Sequence, residues 1–469
     1  MPTFSANYTE PGIYVDIKDV SSPAIAPGQT VIAFIGYGKL TKRFSESLTR
    51  DAAGSQDWTD TLSKDAVSVT SQIIDEFGNV YYKNEDYILS IEDGNSVIDW
   101  GLGDAQDTGE APSGGTEYEV IYEVFKTQED DDFEPQMIQS EDHAYDVFGD
   151  PLETNDSDNK QTLPLGLKIA FGNGSAPAMA VQIDENDSDP IKTAIDKLEK
   201  EYVNIVVPCL PISSDENNSV VSDLYSHVRD MSSLLERKYR IALLGLSTDV
   251  DNPDDFASTV SEYENLASVD SDRMGIIGGS KTGVNIDGEE NIVGSWTLAS
   301  AIAGILGNPN FDVAEPISGK ILTGIDKIYD IWDRKQKNQI ASKGITIVEE
   351  DGIVNRVRHF LSTDMTTPIS QELKTKIVAD YIARITIDTL KATFINTRNV
   401  GQETISNIEA VQRLLLQAQQ DNDILRSPEG FRNINAKQNE TEPRQIDINY
   451  EILPVLEVNW IYINMGITF

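Results

Sequence analysis

The stretch "VNIVVPCLP", residues 203–211, contains no charged side chain. It is followed by "VVSDLYSHVRDMSSLLERKY" (residues 220–239) and then by "RIALLGLS" (residues 240–247). The first and last of these segments are short and mainly apolar, which is typical of strands buried on both faces. The segment between them has the apolar spacing of an amphipathic helix. A strand, a helix and a strand in this order predict a parallel sheet covered by helices.

The same alternation extends in both directions from this stretch. Strands are predicted at "LPLGLKIAFGNG" (163–174), "AMAVQID" (178–184) and "DRMGIIGGS" (272–280). Outside this alternation, "QTVIAFIGYG" (29–38) predicts a buried strand closed by a turn. Helices are predicted at "IKTAIDKLEKEY" (191–202), "DFASTVSEYENLAS" (255–268) and "SWTLASAIAGILGN" (295–308). The sequence therefore predicts an α/β domain over residues 165–348.

Residues 66–134 have a different pattern, in which short β-rich runs are separated by residues that favour turns. The runs are "AVSVTSQIID", "EDYILSIE", "SVIDWGL" and "TEYEVIYEVFK". Asp-Gly and Gly-Gly pairs, which favour tight turns, separate some of them. This pattern predicts an antiparallel β domain, sandwich-like in form. Residues 39–63 are polar and give no clear pattern, and the acidic stretch 128–164 is expected to be an exposed connection.

The last quarter of the chain returns to helices. "GITIVEEDGIVNRVRHFLS" (344–362) predicts a hairpin that turns at Asp351-Gly352. "ELKTKIVADYIARITIDTLKATF" (372–394) and "ETISNIEAVQRLLLQAQQDNDI" (403–424) predict two long helices.

Both ends of the chain have strand patterns. The N-terminal strand follows a Pro-Gly break and includes Gly12, Ile13, Tyr14, Val15 and Ile17. The tail predicts two strands broken near Pro454, and its alternating apolar residues are Ile446, Ile448, Tyr450, Ile452, Val458, Trp460 and Tyr462. A lone strand is not stable by itself. The N-terminal strand must therefore join either the chain's own tail or, by β-augmentation, a sheet in another copy.

Charge excludes several classes of partner. The chain has 78 Asp and Glu against 37 Lys and Arg, a formal net charge of -41. Nucleic acids and anionic membrane surfaces both require basic protein surfaces, so neither is an expected partner. No apolar run reaches the roughly 18 residues needed to cross a bilayer, and no secretory signal is recognised, so we expect synthesis in the cytoplasm. Self-repulsion should weaken any assembly at low ionic strength, and a saline habitat is one explanation of the acidity.

One segment approaches a phosphate-binding motif. "GIIGGSKT", Gly275–Thr282, nearly matches G-x-x-x-x-G-K-[ST], and it follows a predicted strand. Ser280 stands where the second Gly is needed, before Lys281, and the next residues have a turn-like pattern where a helix N-terminus should hold the anion. We interpret the segment as a strand that ends in a Gly-rich loop, and we expect no cofactor.

Other candidate sites are weaker still. "DVDNPDD", Asp249–Asp255, lacks the Gly and Glu positions of a calcium loop. The histidines, His143, His227 and His359, lack metal-ligand spacing, and no G-x-S-x-G elbow is present. A Ser-His-Asp triad assembled in space stays open. Cys209, the only cysteine, is expected to be a buried small apolar residue. No catalytic or metal site is therefore predicted.

The order of segments resembles contractile tail sheath proteins. "PGIYVDI" followed by "PGQTVIAFIGYG" resembles the opening of that family, and "GSWTLASAIAGILG" resembles the small-residue helix of its central domain. The passage from Ile321 to Asp364 resembles the family's late strand pair. Residues 378–424 resemble its C-terminal helices, and "INYEILPVLEVNWIYINMGITF" resembles its closing strands.

The resemblance implies a structural subunit and not an enzyme. Sheath subunits form a helical or stacked-ring homo-oligomer around a tail tube, with baseplate and tail terminator proteins as further partners. Terminal strands link neighbours, and contraction drives the tube through the target envelope. The expected location is a virion tail or an injection-system particle. Arg398 and Arg413 are the candidates for contact with the tube, with ordinary solvated charges or internal ion pairs as the alternative.

The sequence pattern and the resemblance together predict the domains, and the outward position of the β domain is expected because it has the form of an insertion. The domains are an N-terminal strand and linker arm (1–28), the start of the sheath core (29–65), an outward-facing β-sandwich-like domain (66–164), a subtilisin-like α/β domain (165–348), a helix-rich domain facing the tube (349–440) and C-terminal strands (441–469). Two alternatives stay open: an α/β hydrolase-like or nucleotide-binding enzyme with an added β domain, and a non-contractile virion protein.

Overall fold

The structure, a computed structural model, describes most of the chain. The described residues are 30–50, 59–69, 71–92, 95–100, 111–126, 133–153, 160–184, 187, 189–210, 212, 218–245, 256–279, 281–329, 332–352 and 354–456. They divide into two compact units. The β unit lies within Gly38–Phe133. The α/β unit contains the residues up to Tyr37, Glu134–Glu153 and the chain from Lys160 onward.

The strands and helices are numbered in chain order. The strands are β1 (Ile32–Gly36), β2 (Thr41–Thr49), β3 (Thr59–Thr61), β4 (Ala66–Val69), β5 (Gln72–Asp75), β6 (Val80–Tyr82), β7 (Ile88–Glu92), β8 (Asn95–Asp99), β9 (Glu117–Phe125), β10 (Gln136–Ile138), β11 (Ala178–Gln182), β12 (Ile205–Cys209), β13 (Ile241–Gly245), β14 (Met274–Gly278), β15 (Lys281–Ile286), β16 (Glu289–Gly294), β17 (Ile321–Leu322), β18 (Lys327–Ile328), β19 (Ile345–Asp351), β20 (Val354–His359), β21 (Phe431–Gln438) and β22 (Ile446–Ile452). The helices are α1 (Glu141–Phe148), α2 (Thr162–Gly172), α3 (Pro190–Lys197), α4 (Asn218–Met231), α5 (Phe256–Ala267), α6 (Trp296–Leu306), α7 (Arg334–Ala341), α8 (Leu373–Phe394) and α9 (Gln402–Asp421). None of these helices is both long and apolar enough to span a bilayer.

A nine-stranded sheet organises the α/β unit. Its order is β10-β11-β1-β12-β13-β14-β19-β20-β17. The six strands from β11 to β19 are parallel, and the strands beyond them at either end are antiparallel. The strand predicted from "VNIVVPCLP" is β12, in the middle of the sheet, where every residue is buried. The predicted parallel sheet is confirmed, and so is the hairpin β19–β20. The comparison with subtilisin stays a prediction.

Helices cover both faces of this sheet. Helices α1, α2 and α6 contribute to the apolar core on one face. Helices α3, α4, α5 and α7 contribute to the core on the other. Within this second layer, α3 packs on β1, α4 on β13, α5 on β14 and α7 on β19. The layer therefore runs across the sheet in the order α3, α4, α5, α7.

The strand predicted at "LPLGLKIAFGNG" is wrong, because this segment is helix α2. Eight of its eleven residues are buried, so the helix is apolar around most of its circumference and shows no single apolar face. An apolar run of this kind cannot be distinguished from a buried strand by periodicity. Pro164 is tolerated because it is the third residue of the helix, where the backbone N–H has no partner within the helix.

Close contact between α2 and α6 requires small residues. A Cβ atom added at Gly304 of α6 would lie 2.5 Å from the carbonyl oxygen of Ala170 in α2. A Cβ atom added at Gly245 would lie 2.0 Å from the backbone nitrogen of Trp296, at the start of α6. The small-residue character of "SWTLASAIAGILGN" therefore follows from the position of α6 between α2 and the sheet.

The β unit consists of two antiparallel sheets with a shared core. One sheet has the order β2-β9-β5-β6, with β4 also on β9, and the other has the order β3-β8-β7. Buried side chains from both sheets form one cluster that includes Trp100 and Tyr118. The buried carboxylate of Asp60 accepts hydrogen bonds from Trp100 Nε1 (2.9 Å), Tyr118 Oη (2.7 Å) and Arg50 NH1 (3.2 Å). The antiparallel, sandwich-like prediction is confirmed.

The limits of the β unit differ from those expected. Its described residues lie between Gly38 and Phe133, and Glu134–Glu153 belong to the α/β unit, whereas the predicted domain is 66–164. The strands added at the start are β3 and β2, and the nine residues of β2 pair with all of β9. The pattern of β2 is hard to recognise because its alternating residues are half-buried and exposed, and polar residues occupy both faces.

We expect Gly304→Ala to destabilise the α/β unit. The new methyl group would meet the backbone of α2, and overpacking of this kind typically costs about 1–3 kcal/mol. Gly172→Ala is the matched control, because nothing lies within 4 Å of a Cβ atom at that helical position. It should be neutral or stabilising by up to about 1 kcal/mol. Urea unfolding followed by circular dichroism at 222 nm reports this unit, since all described helices belong to it. Equal effects of the two substitutions would contradict the packing argument.

Candidate assembly surface

A small sheet lies on a helical hairpin at the C-terminal end of the described chain. Strands β21 and β22 pair in antiparallel fashion, with a bulge after Arg432 where Asn433 has a φ of 56°. The sheet packs on α8 and α9. Apolar residues from all four elements form two adjoining clusters, which contain Tyr381, Leu390, Ile405, Ile408, Leu416, Phe431, Ile434 and Ala436. Helices and strands therefore form one body, named here the C-terminal platform (residues 373–456).

The alternating tail residues lie on the platform side of β22. Ile446 and Ile448 pack against one of the two clusters, and Tyr450 and Ile452 pack against the other. The strand that these residues predicted is confirmed. Their side chains therefore hold β22 on the chain's own helices.

The small sheet has two open edges within the described chain. Strand β21 pairs only with β22 there, and β22 pairs only with β21. Strand edges of this kind present unpaired N–H and C=O groups to another strand. The sequence analysis missed β21, because "FRNINAKQ" has only a weak alternation of apolar residues. The one sequence feature that indicates this strand is the spacing of Phe431, Ile434 and Ala436 shortly before the tail.

A buried ion pair fixes the platform to the large sheet. Arg273, next to β14, donates from NH1 to Asp380 Oδ2 (2.6 Å) and from NH2 to Asp380 Oδ1 (2.9 Å). Both side chains are 10% exposed. Lys376 pairs with Asp272 at 2.5 Å beside them. A bidentate Arg–carboxylate pair fixes orientation as well as distance, so the first half of α8 is held firmly on the large sheet.

The arm residues proposed from sequence fall outside the described residues. These are Gly12, Ile13, Tyr14, Val15 and Ile17 at the N-terminus and Val458, Trp460 and Tyr462 in the tail. Their expected role as strands shared between copies stays a prediction.

The two candidate tube-contact residues are both exposed. Arg398 lies in the loop between α8 and α9, and Arg413 lies on α9. Neither forms an ion pair with a residue that the structure describes. The helical hairpin that carries them, Leu373–Asp421, has six Lys and Arg and five Asp and Glu, a net charge of +1 in a chain of net charge -41. The platform is thus much less acidic than the chain as a whole.

The segment that approaches a phosphate-binding motif does not have the required structure. After β14 and Gly279 the chain enters strand β15, which begins at Lys281. A phosphate loop needs a helix N-terminus at this point. Ser280 itself lies outside the described residues, as does the acidic stretch Asp249–Asp255.

The three histidines lie on separate elements. His143 is on α1, His227 on α4 and His359 on β20, where its Nε2 lies 2.7 Å from Glu372 Oε1. Within the described part of the chain, no group of three or more His, Cys, Asp or Glu side chains is arranged to hold a metal ion. Cys209 is fully buried, as expected, and burial raises the pKa of its thiol to about 12.

His227 is buried beside a permanent cation. Arg240 NH1 lies 2.6 Å from His227 Nε2 and, because guanidinium can only donate, the imidazole nitrogen accepts. Burial, followed by the charge of Arg240, lowers the pKa of His227 to about 4, and the weaker influence of Asp196 and Asp230 acts in the opposite direction. The imidazole is therefore neutral at ordinary pH and serves the packing of α4.

Comparisons with known proteins point to sheath components. A family model described as a domain of unknown function (DUF4815) matches residues 26–154. A curated "Tail sheath protein" of Mycobacterium phage Bxz1 is 24% identical over 336 residues, which are 70% of this chain and 55% of that protein. The chain thus spans little more than half the length of this relative.

Comparison with solved structures gives the same indication as the match to that relative. The chain matches a structure of the anti-feeding prophage baseplate over 99% of its length and 100% of the other chain, with a TM-score of 0.59 and 11% identity. It matches the contracted helical sheath of the same particle over 98% of this chain and 99% of that chain, with a TM-score of 0.57 and 11% identity. A contracted PVC sheath complex, from an extracellular contractile injection system, gives a TM-score of 0.55 at 9% identity, with 98% of each chain covered. The resemblance to contractile tail sheath proteins is confirmed, and the fold is shared along nearly the whole chain.

We expect Asp380→Ala to destabilise the α/β unit strongly. The substitution leaves the Arg273 guanidinium buried without its partner, and such losses typically cost about 3–5 kcal/mol. Asp388→Ala, at an exposed position two turns further along α8, is the control and should change the free energy of unfolding by less than about 0.5 kcal/mol. Urea unfolding at 222 nm measures both. A small effect of Asp380→Ala would mean that the pair does not anchor α8.

Acid should destabilise the wild type through His227. Its pKa of about 4 in the folded state lies below the unfolded value of 6.5, so the unfolded state binds the proton first. This stability is fully present above pH 6.5 and is lost as the pH falls toward 4. Between pH 7 and pH 5 the wild type should lose about 2 kcal/mol more than His227→Gln. Unfolding curves at the two pH values test this, with His143→Gln as the control that should follow the wild type.

Proposed function

We propose that this chain is a subunit of a contractile sheath, which polymerises around a tail tube and contracts to drive the tube through a target envelope. The observation that carries the proposal is the C-terminal platform with its two-stranded sheet. Neither outer edge of that sheet pairs with a further strand within the described chain, although the Ala436 N–H of β21 donates to Glu409 Oε1 of α9 at 2.6 Å. A chain with the sheath fold and an open small sheet has the means to connect copies through backbone hydrogen bonds.

Terminal strands are the connectors in this proposal. The N-terminal strand around Ile13 and Val15 of one copy, and the tail segment around Trp460 of another, add to the edges of β21 and β22. Each backbone hydrogen bond contributes only about 0.5–1.5 kcal/mol net, so several bonds and the burial of apolar side chains are needed to hold each connection. The segment Ser21–Gly28, rich in Pro and Gly, serves as a tether between the strand and the body.

The platform is also the side proposed to face the tube. Its helical hairpin has a net charge of +1, and the exposed Arg398 and Arg413 have no ionic partner among the described residues. A surface that lacks the acidity of the rest of the chain is the part of the subunit best able to approach an acidic protein without strong repulsion.

Contraction requires two packings of the same rigid bodies. The anchoring of α8 by Arg273 and Asp380 supports movement of the platform together with the α/β unit, while the tethers keep copies connected. Sheath assemblies of this type need only a small free-energy difference per subunit, because many subunits change together. The same proposal includes baseplate and terminator proteins as partners at the two ends of the sheath. It places the chain in a virion tail or an injection particle. It also includes a subtilisin-like form of the central sheet.

Electron microscopy of the purified chain tests the proposal. At ionic strength high enough to screen the charge of the chain, it should form hollow sleeves of uniform width. Deletion of residues 1–20 should abolish the sleeves and leave a folded protein with an unchanged circular dichroism spectrum. Deletion of residues 457–469 should have the same effect through the other connection.

Two results would count against the proposal. Monomers at every salt concentration would reopen the hydrolase-like or nucleotide-binding alternative, for which Lys281→Ala would then be assayed. Ordered sleeves that resist deletion of both termini would indicate a non-contractile lattice without strand exchange.

A further inference from the structure

Helix α7 begins with an unusual concentration of positive charge. Arg334, Lys335 and Lys337 occupy its first turn, and no acidic residue does. The helix dipole disfavours cations at this end, so helix stability does not explain these residues. Asp333 caps the helix through a reciprocal capping box with Gln336, which compensates locally.

These three cations are not used within the described chain. Arg334 and Lys335 are exposed and Lys337 is half-buried, and none of them forms an ion pair with a described residue. Their basic neighbours are occupied, because Lys343 pairs with Glu264, and Arg358 contacts Asn338 of α7 and pairs with Glu349. From Asp333 to Lys343 the chain carries four basic residues and one acidic residue. This basic surface stands out in a chain of net charge -41.

The other end of the same helical layer is acidic. Helix α3 follows its N-cap residue Asp189 and carries Asp196, and Asp223 lies on the adjoining helix α4. Lys192 forms its ion pair with Asp196 at 2.8 Å, and Lys197, the other lysine of α3, pairs with Glu134. Partial burial, followed by the charge of Asp189, raises the pKa of Asp223. Within the described chain, Asp189 and Asp223 form no ion pair.

The two ends are separated by the width of the parallel sheet. Helix α3 packs on β1 and α7 packs on β19, with β12, β13 and β14 between those strands. At about 4.8 Å per strand the distance across is roughly 19 Å. A separation of this size exceeds the screening length of about 8–10 Å at physiological salt, so the cations of α7 and the carboxylates of α3 interact little within one copy.

We propose that the basic surface of α7 binds the acidic end of α3 and α4 on a second copy of the chain. The partner is a second copy because the chain itself offers the complementary charge, and because the two surfaces lie at opposite ends of one layer. A contact between two different surfaces is heterologous, and repeated it generates a ring or an open helix. The inference rests on the proposed sheath function, to which it adds a specific lateral contact that is independent of the terminal strands.

Charge reversal on either surface should disrupt the contact. One variant combines Lys335→Glu with Lys337→Glu, and the other combines Asp196→Lys with Asp223→Lys. Each alone should weaken self-association roughly tenfold or more at 0.15 M salt, as measured by sedimentation velocity. Lys64→Glu combined with Lys160→Glu is the matched control for the α7 variant, because it makes the same change in net charge at exposed positions elsewhere. Circular dichroism confirms that all variants are folded.

Mixing the two reversed variants gives the decisive result. In the mixture the acidic α7 surface of one variant meets the basic α3–α4 surface of the other, and the reverse contact also forms. Association should therefore recover to within a few-fold of the wild type, although each variant alone fails. Recovery only as a closed dimer would overturn the heterologous contact, and so would a mixture that stays dissociated.

The outcomes also separate this contact from the sheath function. If the wild type forms sleeves and both reversed variants do too, the lateral contact is refuted and the sheath function stands. If the chain forms only small oligomers, which respond to charge reversal and to mixing but never become sleeves, the lateral contact stands and the sheath function is refuted. A control variant that loses association as strongly as the reversed ones would show a general charge effect and refute the specific contact.

Discussion

The ion pair between Arg273 and Asp380 joins the two parts of the α/β unit, which are the large sheet and the C-terminal platform. The pair connects the start of β14, in the middle of the large sheet, to the first half of α8. Helix α8 then carries α9 and the small sheet. A charged pair with only 10% of each side chain exposed is costly to separate, and its two hydrogen bonds fix an angle as well as a distance. Any force applied at the edges of β21 and β22 reaches the body through this helix.

Net charge sets a second constraint on a chain that is proposed to contact its own copies. With 41 more acidic than basic residues, two copies repel each other at any distance shorter than the screening length. Contacts that use backbone hydrogen bonds, as at a strand edge, tolerate this repulsion because salt reduces it without weakening them much. Contacts that use side-chain charge must instead be local, where positive residues are gathered, as on α7 and on the helical hairpin of the platform.

Sequence patterns predicted the elements that are either fully apolar or clearly amphipathic. The strand at "VNIVVPCLP", the helix α4 and the long helices α8 and α9 are of this kind. Segment 163–174 was mistaken for a strand because a helix buried on nearly all sides has no polar face to reveal its period. Strands β2 and β21 were missed because each lies on a surface where polar residues occupy many positions. For the candidate site, the pattern gave β22 but not its partner, and pairing between distant segments is not encoded in local periodicity.

The two kinds of contact respond to salt in opposite ways, and an assembly that uses both gains a defined order of formation. At low ionic strength the charge contact of α7 is strongest, but the repulsion between whole copies is also largest. As salt rises, repulsion over long distances is screened first, because exposed charges at larger separation lose their interaction before a close pair does. In the proposed assembly, copies would then approach, the α7 contact would orient them side by side, and strand addition would follow between surfaces already aligned. This order of events requires a rigid platform, because the edges of β21 and β22 must keep a fixed angle to α7. The ion pair between Arg273 and Asp380 holds the platform at that angle.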